Sequence, residues 1–139
     1  MARVAMTQKL SADAGKVWGR IGGFGALHEW HPAIEKTEME GSGVGAKRNL
    51  FLAGGGNVIE RLDAEDSAGR SYTYTILDSP LPVANYQSTI KVVDNGDGSC
   101  TVDWSSNFDA DGAPEADAVE AIQGIYQAGF DALKGEFGE

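Results

Sequence analysis

The strongest constraint on the fold is one long amphipathic helix at the end of a chain that otherwise has the pattern of strands. Pro114 stands where this helix should begin, and Glu115 and Asp117 follow in the first turn, where the helix dipole favours acidic side chains. An antiparallel sheet followed by its only long helix must bury that helix against one face. Apolar residues recur along the helix at three- and four-residue steps: Val119, Ile122, Tyr126, Phe130, Leu133 and Phe137.

The segments before this helix alternate between apolar and polar residues and are separated by glycine-rich turns. Residues 3–10 predict a first strand, followed by a short helix capped by Ser11 and a second short helix over 24–30 that Pro32 ends. Six further strands are expected at about 33–40, 46–53, 57–65, 70–78, 85–94 and 99–109. The prediction is therefore an α+β fold, a curved seven-stranded antiparallel sheet wrapped around the long helix, as a single domain over residues 1–139.

Period-two alternation assigns the strand faces. The inward set in the last strand is Val102, Trp104, Ser106 and Phe108, and in the strand before it Tyr86, Ser88, Ile90 and Val92. In 57–64 the inward set is Val58, Leu62 and Ala64, and it includes Glu60.

Three polar groups therefore point inward: Glu60, Tyr86 and Ser88. A buried carboxylate without a partner is costly, so mostly apolar walls with a few polar groups indicate a ligand pocket. Gly124 and Gly129 in the long helix suggest that something needs space there. The alternative is a packed core in which the hydroxyls bond to backbone or water and Glu60 reaches the sheet edge or pairs with Arg48.

Composition limits the partners. A net charge of −10 and a pI near 4.5 disfavour nucleic acid and anionic membranes. Cys100 is the only cysteine, so no intramolecular disulfide forms. The first residues show no apolar run of signal-peptide type, and no uncharged apolar stretch approaches membrane-spanning length. We expect a cytoplasmic protein without stable membrane insertion; a protein partner is not indicated.

Metal and cofactor motifs are weak. His28 and His31 have the spacing of helical ligands, but Pro32 follows and no further ligand completes a set, so no metal is expected. The loop Gly54–Gly56 lacks the Lys-Ser/Thr of a phosphate-binding loop, and no cofactor is expected.

Several short motifs, in their order and spacing, resemble the START-like, helix-grip (SRPBCC) superfamily, in particular its bacterial polyketide cyclase/dehydrase and lipid-transport-like proteins, and more distantly the plant abscisic acid receptors. The resemblance runs over nearly the whole chain. Its marks are Val17-Trp18, Trp30–Pro32, Val44–Arg48, Ile59–Leu62, Asn85–Ser88 and Val102–Trp104.

The resemblance implies a helix-grip fold around an internal cavity, with His31 standing where the receptors have a pocket lysine. It also implies that Leu50, Leu52, Tyr74 and Tyr126 line the cavity. The receptors' gate and latch sequences are replaced by Ala53–Gly56 and Leu81–Val83, so hormone sensing is not implied, although a glycine loop over the mouth can act as a lid. From faces and resemblance together, the expected ligand-binding residues are Trp30, His31, Leu50, Leu52, Glu60, Tyr74, Tyr86, Ser88, Trp104, Phe108, Ile122 and Tyr126.

Three functions remain open at this point. The first is binding, or transport, of a small apolar or amphipathic molecule with a polar handle. The second is a cyclase or dehydratase in which His31, at the pocket mouth, and Glu60 act as acid and base. The third is an interaction module that uses the acidic surface, since a fold by itself does not fix function.

Overall fold

The computed structural model describes residues 1–139 and contains seven strands and three α-helices. A 3₁₀ turn, Phe24–Ala26, leads directly into the second helix. The elements in chain order are β1 (Ala2–Leu10), α1 (Ala14–Ile21), α2 (Leu27–Trp30), β2 (Ile34–Glu40), β3 (Lys47–Leu52), β4 (Asn57–Asp66), β5 (Ser71–Asp78), β6 (Val83–Asp94), β7 (Cys100–Ala110) and α3 (Glu115–Phe137).

All seven strands form one antiparallel sheet in the order β1-β7-β6-β5-β4-β3-β2. Register shifts interrupt the pairing within β2, twice within β4, and within β6 between Ala84 and Gln87. Such bulges bend a strand and increase its twist, which curves the sheet toward α3. The predicted fold, a curved seven-stranded sheet with a long C-terminal helix and short helices after the first strand, is confirmed.

The strand faces follow the predicted alternation in β6 and β7, where every residue of the inward sets is buried. In β4, Val58, Glu60 and Leu62 are buried, but Ala64 is exposed. The prediction that Ala64 faces inward is therefore wrong. The register shift between Leu62 and Ala64 is the reason, because a bulge breaks the period-two alternation of faces.

The start of α1 also differs from the prediction. Asp13, not Ser11, caps the helix, with its carboxylate accepting the Gly15 N–H at 2.7 Å. The backbone N–H of Ser11 instead donates to the Gly138 carbonyl at 3.0 Å, which ties the end of β1 to the end of α3. The predicted helix over 24–30 is a 3₁₀ turn followed by one turn of α-helix.

The long helix packs chiefly against β1 and β7, while the short helices contact β2, β6 and β7. The most deeply buried apolar side chains, among them Leu10, Val17, Phe130 and Leu133, are at most 1 % exposed. No helix here combines the length and the apolar character that crossing a bilayer requires.

Candidate functional site

A cavity of about 210 Å³ lies between α2, the middle of α3 and the concave face of strands β3–β7. Except for His31 and Glu60, every residue that lines it is apolar or aromatic. The lining residues are Leu27, His31, Ala33, Ile34, Leu50, Leu52, Ala53, Val58, Glu60, Tyr74, Ile76, Leu81, Tyr86, Trp104, Ile122 and Ile125.

The structure brings eight of the twelve sequence-predicted residues to this cavity: His31, Leu50, Leu52, Glu60, Tyr74, Tyr86, Trp104 and Ile122. The other four stand behind the wall. Phe108 packs against the Tyr86 ring at 5.8 Å between ring centroids, and Trp30 packs against Trp104 at the same separation. Tyr126 is connected to the cavity through its hydrogen bond to Tyr86, and Ser88 through its hydrogen bond to Tyr126.

Glu60 pairs with Arg48, which faces it directly across β3 and β4. The Arg48 Nη2 and Nε atoms lie 2.7 and 2.8 Å from Glu60 Oε1. Arg48 Nη1 donates to the Phe24 carbonyl at 2.8 Å, and the guanidinium lies over the Phe24 ring at 4.1 Å from its centroid. This is the pairing that the sequence left open, and it leaves Glu60 Oε2 without a hydrogen-bond partner within the chain.

Both charges are deeply buried, since Arg48 is 1 % exposed and Glu60 5 %. Burial raises the pKa of the Glu60 carboxyl, although the Arg48 charge opposes this. Burial also acts to lower the pKa of Arg48, but Glu60, Tyr72 and Tyr74 outweigh it and raise that pKa. Arginine remains protonated in proteins, and an unpaired buried guanidinium is costly, so Glu60 stays ionised at neutral pH. The pair brings no net charge to the cavity wall.

Both ring nitrogens of His31 make hydrogen bonds to the backbone. Its Nε2 donates to the Ile125 carbonyl of α3 at 2.8 Å, and its Nδ1 accepts the Ala33 N–H at 3.1 Å. A carbonyl only accepts and a backbone N–H only donates, so the ring is the neutral Nε2–H tautomer. Burial lowers the pKa of His31, and its bond to Ile125 partly opposes this. The expectation that His31 lies at the pocket mouth is wrong, because His31 is 1 % exposed and is held between α3 and the loop after α2.

Gly129 gives His31 the room to reach Ile125. A Cβ atom at position 129 would lie 3.0 Å from both His31 Cδ2 and Trp104 Cζ3. The space that the sequence suggested at Gly129 is thus filled by side chains. Gly124 is exposed with no atom within 4 Å of a Cβ there, so it makes no room for any group.

A directed chain of hydroxyls stands behind the wall at Tyr86. Ser88 donates its one proton to the Ser105 carbonyl at 2.9 Å, so Tyr126, 2.9 Å away, must donate to Ser88 Oγ. Tyr86 and Tyr126 form a short hydrogen bond, in which Tyr86 must then be the donor. Burial raises the pKa of both tyrosines, which keeps them protonated. Toward the cavity, Tyr86 therefore offers only an acceptor.

Tyr74 offers a hydrogen-bond donor where Tyr86 offers an acceptor. Its hydroxyl oxygen accepts the Trp104 Nε1–H at 3.2 Å, and indole nitrogen is only a donor. The hydroxyl makes no other hydrogen bond, so its own proton is free on a residue that lines the cavity. Burial raises the pKa of Tyr74 well above its ordinary value, which keeps that proton in place.

Eight lining residues were missing from the sequence-predicted set: Leu27, Ala33, Ile34, Ala53, Val58, Ile76, Leu81 and Ile125. Three carried a usable signal. Val58 lies on the inward face of β4 that was assigned by alternation, Ile76 follows the predicted Tyr74 by two residues on β5, and Ile125 follows the predicted Ile122 by one helical turn. The others lie in loops, in the short helix α2 or at the first residue of β2, where period-two alternation gives no direction.

Two loops border the cavity. Ala53 precedes Gly54, Gly55 and Gly56, all of which have positive φ, between 87° and 108°. Leu81 belongs to the loop between β5 and β6, and a Cβ at Gly56 would lie 3.7 Å from Pro80 Cγ. The two loops therefore meet beside the cavity, and Ala53 and Leu81 are among its more exposed lining residues.

Comparison with known proteins identifies relatives of the whole chain. The family model described as "Polyketide cyclase / dehydrase and lipid transport" matches residues 1–138. The protein XoxI from Bacillus cereus is 33% identical, with a TM-score of 0.93, 99% of this chain and 96% of that chain being covered. An uncharacterised Bacillus thuringiensis protein is 32% identical, with a TM-score of 0.93 and coverage of 99% and 100%.

A more distant solved structure, the ZhuI aromatase/cyclase from Streptomyces sp. R1128, is 19% identical, with a TM-score of 0.78 and coverage of 97% and 92%. At this identity the similarity concerns the fold alone. A search of the curated proteins returned no match.

Proposed function

The chain belongs to the polyketide cyclase/dehydrase and lipid transport family, and we propose that it binds a small hydrophobic molecule with a polar handle in its internal cavity. The observation that carries the proposal is the cavity itself, about 210 Å³ of space with almost entirely apolar walls. Interiors of ordinary domains are close-packed, with few voids larger than a water molecule, so a space of this size in the core is unusual. Apolar walls with a few polar groups are typical of ligand sites.

The polar groups on the wall support a handle on the ligand. Glu60 Oε2 lacks a partner and the Tyr74 proton lacks an acceptor, although both residues line the cavity. A net hydrogen bond contributes about 0.5–1.5 kcal/mol. A ligand group that bonds to one of these atoms gains affinity of that order.

The same geometry does not favour acid–base catalysis by His31 and Glu60. Both ring nitrogens of His31 are already bonded to backbone, and the Nε2 proton is held by the Ile125 carbonyl. Glu60 is ionised against Arg48, so proton uptake would leave a buried guanidinium without its counter-charge. We therefore propose binding rather than cyclisation as the function of this site.

The experiment is a thermal-shift screen with small apolar probes, led by propylbenzene and indole, together with mass spectrometry of organic extracts of the purified protein. Stabilisation that rises with probe concentration is expected, because ligands that bind the folded state raise its stability by mass action. The control is Leu50→Phe, which extends a lining side chain into the cavity and should abolish the shift while the circular dichroism spectrum is retained. Absence of any shift, or equal shifts in the variant, contradicts the proposal.

A further inference from the structure

The hydrogen-bonding groups on the cavity wall restrict the ligand more sharply than its apolar lining does. We propose that the ligand is an uncharged aromatic molecule of one or two rings whose hydroxyl group donates to Glu60 and accepts from Tyr74. This inference rests on the proposed ligand-binding function and specifies the class of ligand for that same site.

The cavity wall offers no free cation to a ligand. Arg48 is the only cationic side chain next to it. Its Nε and Nη2 bond to Glu60, and its Nη1 bonds to the Phe24 carbonyl and the Tyr72 hydroxyl. His31 is neutral, and neither of its nitrogens is free. A ligand carboxylate would therefore lose its hydration, find no cation and meet the Glu60 carboxylate. A ligand ammonium group would face the buried Arg48 charge beside the same carboxylate. The cavity selects neutral ligands.

Glu60 Oε2 is a free acceptor and the Tyr74 hydroxyl a free donor. The two residues lie on the adjacent strands β4 and β5, one diagonal step apart in the register, and the Arg48 guanidinium that binds Glu60 also lies 4.8 Å from the Tyr74 ring centroid. A hydroxyl group both donates and accepts, so a single such group offers a donor to Glu60 and an acceptor to Tyr74. A ketone or ether would leave the carboxylate oxygen unpaired, and a hydrocarbon would leave both groups unpaired.

The size and shape of the cavity limit the ligand further. A dry apolar cavity of about 150 Å³ holds benzene, and drug-sized ligands occupy pockets of about 300 Å³ or more. At about 210 Å³ this cavity fits one substituted ring or two small fused rings, not a long acyl chain. Aromatic residues form much of the wall around Tyr74, with the Tyr86 ring centroid 6.2 Å from that of Tyr74, and such surfaces favour a flat partner.

The test is isothermal titration calorimetry with three probes of matched shape at pH 7.5: 4-propylphenol, propylbenzene and 4-propylbenzoate. We expect 4-propylphenol to bind about tenfold more tightly than propylbenzene, the value of one or two added hydrogen bonds. The benzoate should bind about 100-fold more weakly than the phenol, or not measurably, because its charge has no partner.

Two variants locate the effect. Tyr74→Phe removes the free donor together with the acceptor of the Trp104 Nε1–H, and the loss of that second bond is common to every probe. The affinity for 4-propylphenol should therefore fall about three- to tenfold relative to that for propylbenzene. Tyr72→Phe makes the same chemical change two residues earlier on the same face of β5, at a residue that does not line the cavity but whose hydroxyl accepts from Arg48 Nη1 at 3.4 Å. It controls for the loss of a hydroxyl group near the Arg48–Glu60 pair without loss of the free donor. It should leave both affinities unchanged.

The outcomes distinguish the two proposals. If none of the three probes binds, the proposed function fails and this inference with it. If propylbenzene or the benzoate binds as tightly as the phenol, or if Tyr74→Phe has no selective effect, ligand binding stands but the neutral hydroxyl-bearing ligand class is overturned.

Discussion

The interior of this protein has two halves that differ in how the sheet is covered. In the packed half, the C-terminal part of α3, α1 and β1 enclose side chains such as Leu10, Val17 and Leu133, none more than 1 % exposed. In the cavity half, β3, β4 and β5 curve away from α3 and are lined by Leu50, Tyr74 and their neighbours. Seven strands are wider than one helix can cover. The cavity is therefore a consequence of topology, and the side chains only decide what it accepts.

The polar groups follow the same division. The packed half is held together at its rim by exposed or half-exposed contacts, such as Arg20 to Glu136 at 3.1 Å. The cavity half contains the buried Arg48–Glu60 pair and the hydroxyl chain from Tyr86 to Ser88. Buried polar groups are costly unless satisfied, so their concentration beside the cavity supports the proposed binding function.

The largest expected effect comes from a substitution that breaks the buried Arg48–Glu60 pair of the cavity half. Arg48→Met leaves Glu60 as an unpaired buried carboxylate, and we expect a loss of about 3–5 kcal/mol in the free energy of unfolding, measured in urea. The double variant Arg48→Met/Glu60→Leu should recover most of that loss, because neither charge remains buried. A double variant as unstable as the single one would show that the cost is steric and not electrostatic.

The next prediction compares the two halves directly by adding volume to each. Leu133→Phe overfills the packed half and should cost about 1–3 kcal/mol in unfolding free energy. Leu50→Phe adds the same atoms where the cavity can receive them, and we expect a change of less than about 1 kcal/mol. Equal losses in urea denaturation of the two variants would contradict a difference in packing between the halves.

A smaller effect separates two glycines on the same helix. Gly124→Ala meets no atom within 4 Å, and its higher helix propensity should stabilise the protein by about 0.5–1 kcal/mol. Gly129→Ala would bring a Cβ to 3.0 Å from His31 and Trp104, so the same substitution should destabilise it by about 1 kcal/mol or more. Thermal unfolding of both variants gives the sign of each change in stability. Stabilisation by Gly129→Ala would mean that the rings of His31 and Trp104 are free to shift.

The last prediction concerns pH and His31, which joins the two halves. Its pKa in the folded protein lies below the ordinary value of 6.5, so below about pH 6.5 the unfolded chain binds more protons than the folded one. Stability should therefore fall as the pH decreases from 7.5 to 5.5. His31→Gln retains a donor for Ile125 but does not titrate, so its unfolding free energy should fall less over that interval. Parallel curves for the two proteins would contradict this assignment.

The sequence predicted much of this molecule, and the misses have physical causes. Alternation gave the faces of β6 and β7 because a regular strand places every second side chain on the same side. It failed at Ala64, where a bulge changes the register. The pairing of Glu60 with Arg48 was one of two alternatives that the sequence left open for Glu60. The proximity of the pair to Phe24 and Tyr74 depends on how the sheet curves.

His31 was the hardest residue to place from the sequence. Its helix end and the following proline are typical of an exposed position, yet its partner Ile125 lies 94 residues away. No local pattern reports a contact of that kind. Position 129 offered the only hint, and a glycine in a helix does not by itself indicate which side chain approaches it.

The hydroxyl chain that ends at the Ser105 carbonyl has a consequence for the cost of recognition. The Ser105 carbonyl oxygen fixes the orientation of the Ser88 hydroxyl proton. Through the next two hydrogen bonds, the hydroxyl protons of Tyr126 and Tyr86 are oriented in turn. These three hydroxyl groups are oriented before any molecule enters the cavity, and a ligand does not have to reorient them. A ligand that donates to Tyr86 therefore does not lose the entropy of ordering that hydroxyl group, a loss that more flexible polar sites incur with every molecule they bind.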